Sequence, residues 1–289
     1  LASAVILDFD GSVKPLDGTR IIPLQEQQEA IRFGCRLSEL RALAPLLHEA
    51  LRSRPDVVFL GSGDFHHLTY PLIANRVDAV ARPIQVVVFD NHPDNMRYPF
   101  GIHCGSWVSH VSRLPLVARV HVVGITSSDV EGAHAWENRL LPLRRGRVVY
   151  WCVRRNLRVL RLLGARQSRS FASMEELLPA LQVALARTAE PVYLSIDKDV
   201  LSSEVVQTNW DQGVMSLSEL EQAVAMLRTR LIGADVVGDV SHYKYRSRLK
   251  RWLSALDGQP AIPPESLEAW QSAHQRLNAR LLALLSSTP

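Results

Sequence analysis

Cysteine is scarce in this chain. Cys35, Cys104 and Cys152 are far apart, odd in number and in no C-x-x-C pair. That argues against a disulfide framework and for a reducing compartment. Each reads as a small buried hydrophobe, although Cys104 stands beside His103, where a thiol nucleophile is the alternative. There is no run of roughly 18 apolar residues, the length a membrane helix requires, and no apolar leader precedes the first expected strand. A cytoplasmic protein without a membrane partner is expected, and the opening at Leu1 without a Met suits a few residues lying upstream. The densest basic runs, at 144–147, 154–155 and 246–251, lack the interleaved aromatics of a nucleic-acid groove. They read as solvated faces, with no nucleic-acid partner. Internal repeats and low-complexity linkers are also missing.

What remains is the composition of a soluble globular protein: 47% apolar and 21% charged residues, with a formal charge of +4 over 289 residues. Apolar runs at 5–10, 57–60, 86–89, 117–123, 147–151, 168–171, 191–196 and 232–237 read as strands. Between and after them, helical spacing predicts helices over 25–50 (interrupted near Pro45), from residue 68, and over 174–188, 217–231 and 265–285. Continuous apolar strands alternating with helices predict a mostly parallel sheet covered on both faces. No boundary divides the chain, so one α/β domain over 1–289 is expected.

The polar residues collect where these strands end. Val86-Val-Val-Phe89 runs into Asp90-Asn-His-Pro-Asp94. In extended backbone, residues two apart share a face, so Asp90, His92 and Asp94 converge at the edge where open α/β sheets build sites. Asp8 and Asp10, then Asp64, His66 and His67, then Asp197 and Asp199 stand at the same edge. One such cluster alone reads as a turn or helix cap; four together point to a metal site of oxygen and nitrogen donors. Asp90, Asp94, Asp197 and Asp199 carry four negative charges that could not share a partly buried site unpaired. Two divalent cations offset them, with His66 and His92 as neutral ligands.

In order, Gly63-Asp64-Phe-His66, Asp90-Asn-His92-Pro-Asp94 and Ser195-Ile-Asp197-Lys-Asp199 resemble the arginase/agmatinase (ureohydrolase) family over most of the chain. The resemblance implies a three-layer α/β/α sandwich, two Mn2+ ions, a homo-oligomer, and hydrolysis of a guanidino-type C–N bond by metal-bound hydroxide. Carried over, one metal takes His66, Asp90, Asp94 and Asp197; the other takes Asp90, His92, Asp197 and Asp199. His103, in a family His-Gly segment, is implied to shuttle protons or contact substrate, its alternative being a structural hydrogen bond.

The departures bear on the substrate. Phe65 is inserted in the first motif, which leaves His66 or His67 as the ligand; His66 fits better, and His67 is otherwise an imidazole that supports the ligands, meets substrate or lies at the surface. The third motif continues as residues 200–212 in place of a Pro- and Gly-rich loop, which puts Asn209, Trp210 and Asp211 where substrate is expected. Trp210 stacks on a cation there or packs beneath the loop. Met96 replaces the asparagine with which arginases read an α-carboxylate. The late Asp-x-x-Glu is replaced by Asp235-Val-Val-Gly238-Asp239, where Asp239 either reaches a cationic small-molecule substrate or caps a helix. The expected function is a binuclear manganese hydrolase of a linear guanidino or amidino C–N bond. The alternatives are a zinc deacetylase-like amide hydrolase and an inactive metal-binding member of the family.

Overall fold

The structure, a computed structural model, describes residues 4–256 and 262–286. Among the described residues eleven strands form, in chain order: β1 Ala4–Asp8, β2 Thr19–Pro23, β3 Gly34–Cys35, β4 Val57–Ser62, β5 Ile84–Phe89, β6 Ile102–His103, β7 Val117–Ile125, β8 Val148–Val153, β9 Arg169–Phe171, β10 Val192–Asp197 and β11 Leu231–Asp239. Nine of them make one sheet in the order β2-β1-β4-β11-β10-β5-β7-β8-β9, and every pairing in it is parallel. β3 and β6 form a short antiparallel pair outside it.

The continuous apolar runs are the cause. In β4, β5 and β10 every residue is buried, so both faces need a covering layer. Successive residues feed opposite layers. Val58, Leu60, Val86 and Val88 join the core beneath helices Leu37–Ala50 and Thr69–Val80. Phe59, Val87, Phe89, Leu194 and Ile196 join the core beneath Met174–Leu185, Leu217–Leu227 and Pro264–Ser286. This is the α/β/α sandwich expected.

Some elements differ. The break expected at Pro45 lies earlier: Pro45 is inside Leu37–Ala50, and the chain turns out of helix over residues 32–36. There Arg32 points inward to Asp64 and Phe33 takes φ +68°. β2 was not anticipated, because its mixed, half-exposed residues carry no clean pattern. The final strand runs to Asp239, past the expected end at 237. No helix among the described residues is long and apolar enough to cross a membrane.

Candidate metal centre

The central strands β4, β11, β10 and β5 deliver their carboxyl ends to one place. Beyond β4, residues 63–68 coil into a short 3-10 turn opened by Ser62, whose hydroxyl accepts from the Asp64 amide. That turn swings His66 over the sheet edge. β5 ends at Phe89, so the run from Asp90 to Asp94 is loop, not strand. The three side chains still converge, because Asp94 takes the left-handed conformation, φ +45°, which aspartate tolerates better than most residues. Trp107 fixes it there, the indole Nε1 donating to Asp94 Oδ2 at 2.6 Å.

The Nδ1 of His66 lies 3.3 Å from Asp90 Oδ2, 3.0 Å from Asp94 Oδ2 and 3.2 Å from Asp197 Oδ2. The Nδ1 of His92 lies 2.8 Å from Asp199 Oδ2 and 3.6 Å from Asp90 Oδ1. Asp90 thus turns one oxygen to each imidazole. Two overlapping donor groups result, His66 with Asp90 and Asp94, and Asp90 with His92 and Asp199. Asp197 joins the first through His66.

Electrostatics explain what the cluster needs. Burial, then the charge of Asp94, pushes the Asp90 carboxyl up to about 7. Burial, then Asp197 and Asp90, pushes Asp199 up to about 8. Burial alone would lower the pKa of His66, but Asp197 and Asp94 hold it well above the ordinary value; burial is likewise outweighed at His92, chiefly by Asp199. Protons or cations must gather these carboxylates. Asp90 Oδ2 has no hydrogen-bond donor although it is buried, as a metal ligand would be left without its ion. Hard oxygen and imidazole donors at this density fit divalent cations.

Second contacts orient both rings. His66 Nε2 lies 3.0 Å from Ser195 Oγ, and that hydroxyl donates to Asp235 Oδ1 at 2.8 Å. Thr69 Oγ1 donates to the same oxygen at 2.9 Å. His92 Nε2 meets Asp211 Oδ1 at 2.7 Å.

A cleft of about 350 Å³ opens on the cluster. His103, Trp210, Asp211, Met96, Asp129 and Glu137 help to line it, and among the described residues no Arg or Lys does. Burial lowers the His103 pKa to about 3. Its Nδ1 accepts from the Gly105 amide at 3.0 Å, which leaves the proton of the neutral ring on Nε2.

Other expected residues lie elsewhere. Asp239 is no part of the cleft: it is fully buried and pairs with Lys198 Nζ at 2.6 Å, while Asn278 Nδ2 donates to its other oxygen at 2.9 Å. The extra space a reaching carboxylate would need is absent, since a Cβ at Gly238 (φ +94°) would lie 2.4 Å from Asp197 Oδ1. His67 is fully buried behind the turn and Asn209 is buried in its loop; neither lines the cleft. Asp10 and Asp64 do not approach the cluster; they receive Arg32, at 3.4 and 2.6 Å, whose guanidinium lies over the rings of Phe65 and Tyr243. Arg32, Trp107 and the Lys198–Asp239 pair carry no local sequence signal. Ser195 and Asp235 do: each stands two residues or more before an expected site carboxylate on its own strand.

Solved structures with this fold include a proclavaminate amidino hydrolase from Streptomyces clavuligerus (16% identical, TM-score 0.57, covering 100% of this chain and 93% of that one). A hypothetical agmatinase from Burkholderia thailandensis (17%, TM-score 0.55, 98% and 85%) and a Mn2+-containing formiminoglutamase from Trypanosoma cruzi (14%, TM-score 0.53, 88% and 73%) share it too. By sequence, an uncharacterised protein of Thermotoga maritima is 31% identical over 207 residues, 71% of this chain and 67% of its own length. The model of the arginase family matches residues 21–247. The chain belongs to the arginase family.

Proposed function

We propose that this chain is a binuclear metal hydrolase that cleaves a linear C–N bond of a guanidino or amidino compound. The observation that carries the reading is the pair of donor groups joined by Asp90 at the floor of an open cleft. His66, Asp90, Asp94 and Asp197 would hold one ion; Asp90, His92, Asp197 and Asp199 the other. Two divalent cations, manganese by analogy with the T. cruzi formiminoglutamase, would supply Lewis acidity and activate a water when bound.

The chain's own residues do the rest. His103 is a neutral donor on the cleft wall, suited to hold a polar group of substrate or leaving amine through Nε2–H rather than to carry positive charge. Trp210 lines the cleft, where an indole can receive a planar cation. With Asp129 and Glu137 in the wall and no Arg or Lys, the cleft favours a neutral or cationic tail. Met96, a thioether lining the cleft, gives an α-carboxylate no donor. Arginine itself is therefore a poor fit.

The test is metal content followed by turnover. The manganese-loaded protein should hold near two ions per chain and release urea or ammonia from some member of a panel of guanidino acids, amines and amidines. One zinc per chain with amide hydrolysis would replace this reading by the deacetylase-like one. Full metal occupancy with no turnover across the panel would leave an inactive family member.

A further inference from the structure

We propose that Asp211 is a positioning residue for the second metal site: it holds His92 in the orientation and tautomer that ligation requires. The proposal rests on the binuclear reading above and goes beyond it, because Asp211 lies outside every motif that supplies a ligand.

The chemistry is that of a two-sided ring. His92 can give Nδ1 to a cation only if its proton sits on Nε2, and that proton then needs an acceptor. Asp211 Oδ1, at 2.7 Å, is that acceptor. The ring is then fixed between Asp199 on one side and Asp211 on the other. The second oxygen of Asp211 is also taken: Asn91 Nδ2 donates to it at 3.3 Å and to the Asp211 carbonyl at 2.9 Å. Asn91 is itself held, its Oδ1 accepting from the Thr126 amide at 3.0 Å and its own amide donating to Asp199 Oδ1 at 3.0 Å. Although the Asp211 side chain is 68% exposed, both its oxygens are engaged, one by His92 and the other by Asn91.

The loop that carries it is built to arrive in place. Gln212 Nε2 donates to the carbonyls of Leu201 and Val206 at 3.1 and 2.8 Å, and its Oε1 accepts from the Thr208 amide at 3.1 Å. The Gly213 amide donates to the Asp199 carbonyl at 2.7 Å. A Cβ at Gly213 would lie 2.3 Å from the Val200 carbonyl oxygen, so the return of the loop against the third motif requires glycine. Preorganisation of this kind is what a ligand-orienting residue needs.

The experiment is a Mn2+ titration of the full chain, followed by calorimetry and by electron paramagnetic resonance, in wild type, Asp211→Ala and Asp211→Asn. Asp211→Ala is expected to weaken one of two ions by about 10–100-fold and to leave the other unchanged. Asp211→Asn keeps an acceptor oxygen and is expected to recover most of that loss, which a merely structural role would not produce. Unchanged binding of both ions in Asp211→Ala, equal weakening of both, or an Asn variant as weak as Ala would each overturn the proposal. If the wild type binds fewer than two ions, the binuclear reading fails by itself. Crystals of Asp211→Ala then still decide: a His92 ring that has left Asp199 supports the positioning role, and an unmoved ring overturns it.

Discussion

Ser195 Oγ lies 3.0 Å from His66 Nε2, and because its proton goes to Asp235 it can only accept from the ring. That places the imidazole proton on Nε2 and frees Nδ1 for a cation. Ser195→Ala should therefore weaken the ion held by His66 by roughly 10–100-fold without unfolding the protein, as metal titration beside a thermal melt would show. Unaltered affinity would count against Ser195 as the orienting group.

The two adjacent histidines should separate cleanly. His66→Ala removes the nitrogen on which three carboxylates converge and is expected to cost one ion per chain. His67 is buried away from the cleft, so His67→Gln should retain the wild-type metal count. Metal analysis of both variants decides, and loss of an ion from the His67 variant alone would reverse the assignment.

Gly238→Ala should damage the centre more than so small a change suggests. The new methyl would lie 2.4 Å from Asp197 Oδ1 and 2.8 Å from the Lys198 amide nitrogen, with backbone at φ +94° that alanine avoids. Displacement of Asp197 and loss of tight metal binding are expected. The same contact means that Gly238→Glu cannot rebuild the acidic substrate contact of the wider family. Wild-type metal affinity in Gly238→Ala would refute this.

Asp239→Ala should appear as instability. Lys198 and Asp239 are completely buried, and removing one partner leaves an uncompensated charge, a cost of about 3–5 kcal/mol. The double variant Lys198→Met, Asp239→Leu should be less damaged than Asp239→Ala. Denaturant midpoints of the metal-free proteins test the order.

Without metal, the contribution of the carboxylate cluster to stability should fall as pH rises. Burial and then neighbouring carboxylates raise Asp90 to about 7 and Asp199 to about 8, from an ordinary 3.8. The metal-free folded state therefore binds protons that the unfolded chain releases near pH 4. Their contribution is complete in acid and disappears as pH climbs through 7 to 8. His66 and His92, raised above 6.5, act in the same sense, their contribution fading above that value. Cations replace these protons, so added Mn2+ should stabilise more at pH 8.5 than at pH 5.5. Melting temperatures in chelator and in Mn2+ at the two pH values measure it; a larger gain at pH 5.5 would contradict the charge argument.

The sandwich and the clustering of the six candidate ligands were legible because both are written locally. A buried parallel strand is an unbroken apolar run, and an acidic burst after it marks the edge at which it ends. What was hidden depends on contacts far apart in sequence. Arg32 meets Asp64 across 32 residues, and Lys198 meets Asn278 across 80. No spacing rule announces such pairs. Asp10 and Asp64 were drawn toward the metals by their placement alone, whereas the buried guanidinium claims them. Asp239 was read toward a substrate by motif position, and the buried Lys198, between Asp197 and Asp199, claims it. Asp94 reached its expected partner by an unexpected route, through a left-handed loop residue in place of extended backbone.

The long helix Pro264–Ser286 reaches the turn that follows β10 and carries Asp199. Asn278 holds Lys198, and His274 Nε2 meets the Gln207 carbonyl at 2.8 Å. During synthesis the proposed ligands emerge from the ribosome well before those two side chains. A growing chain thus holds the proposed donor set before the support for its third motif has been translated.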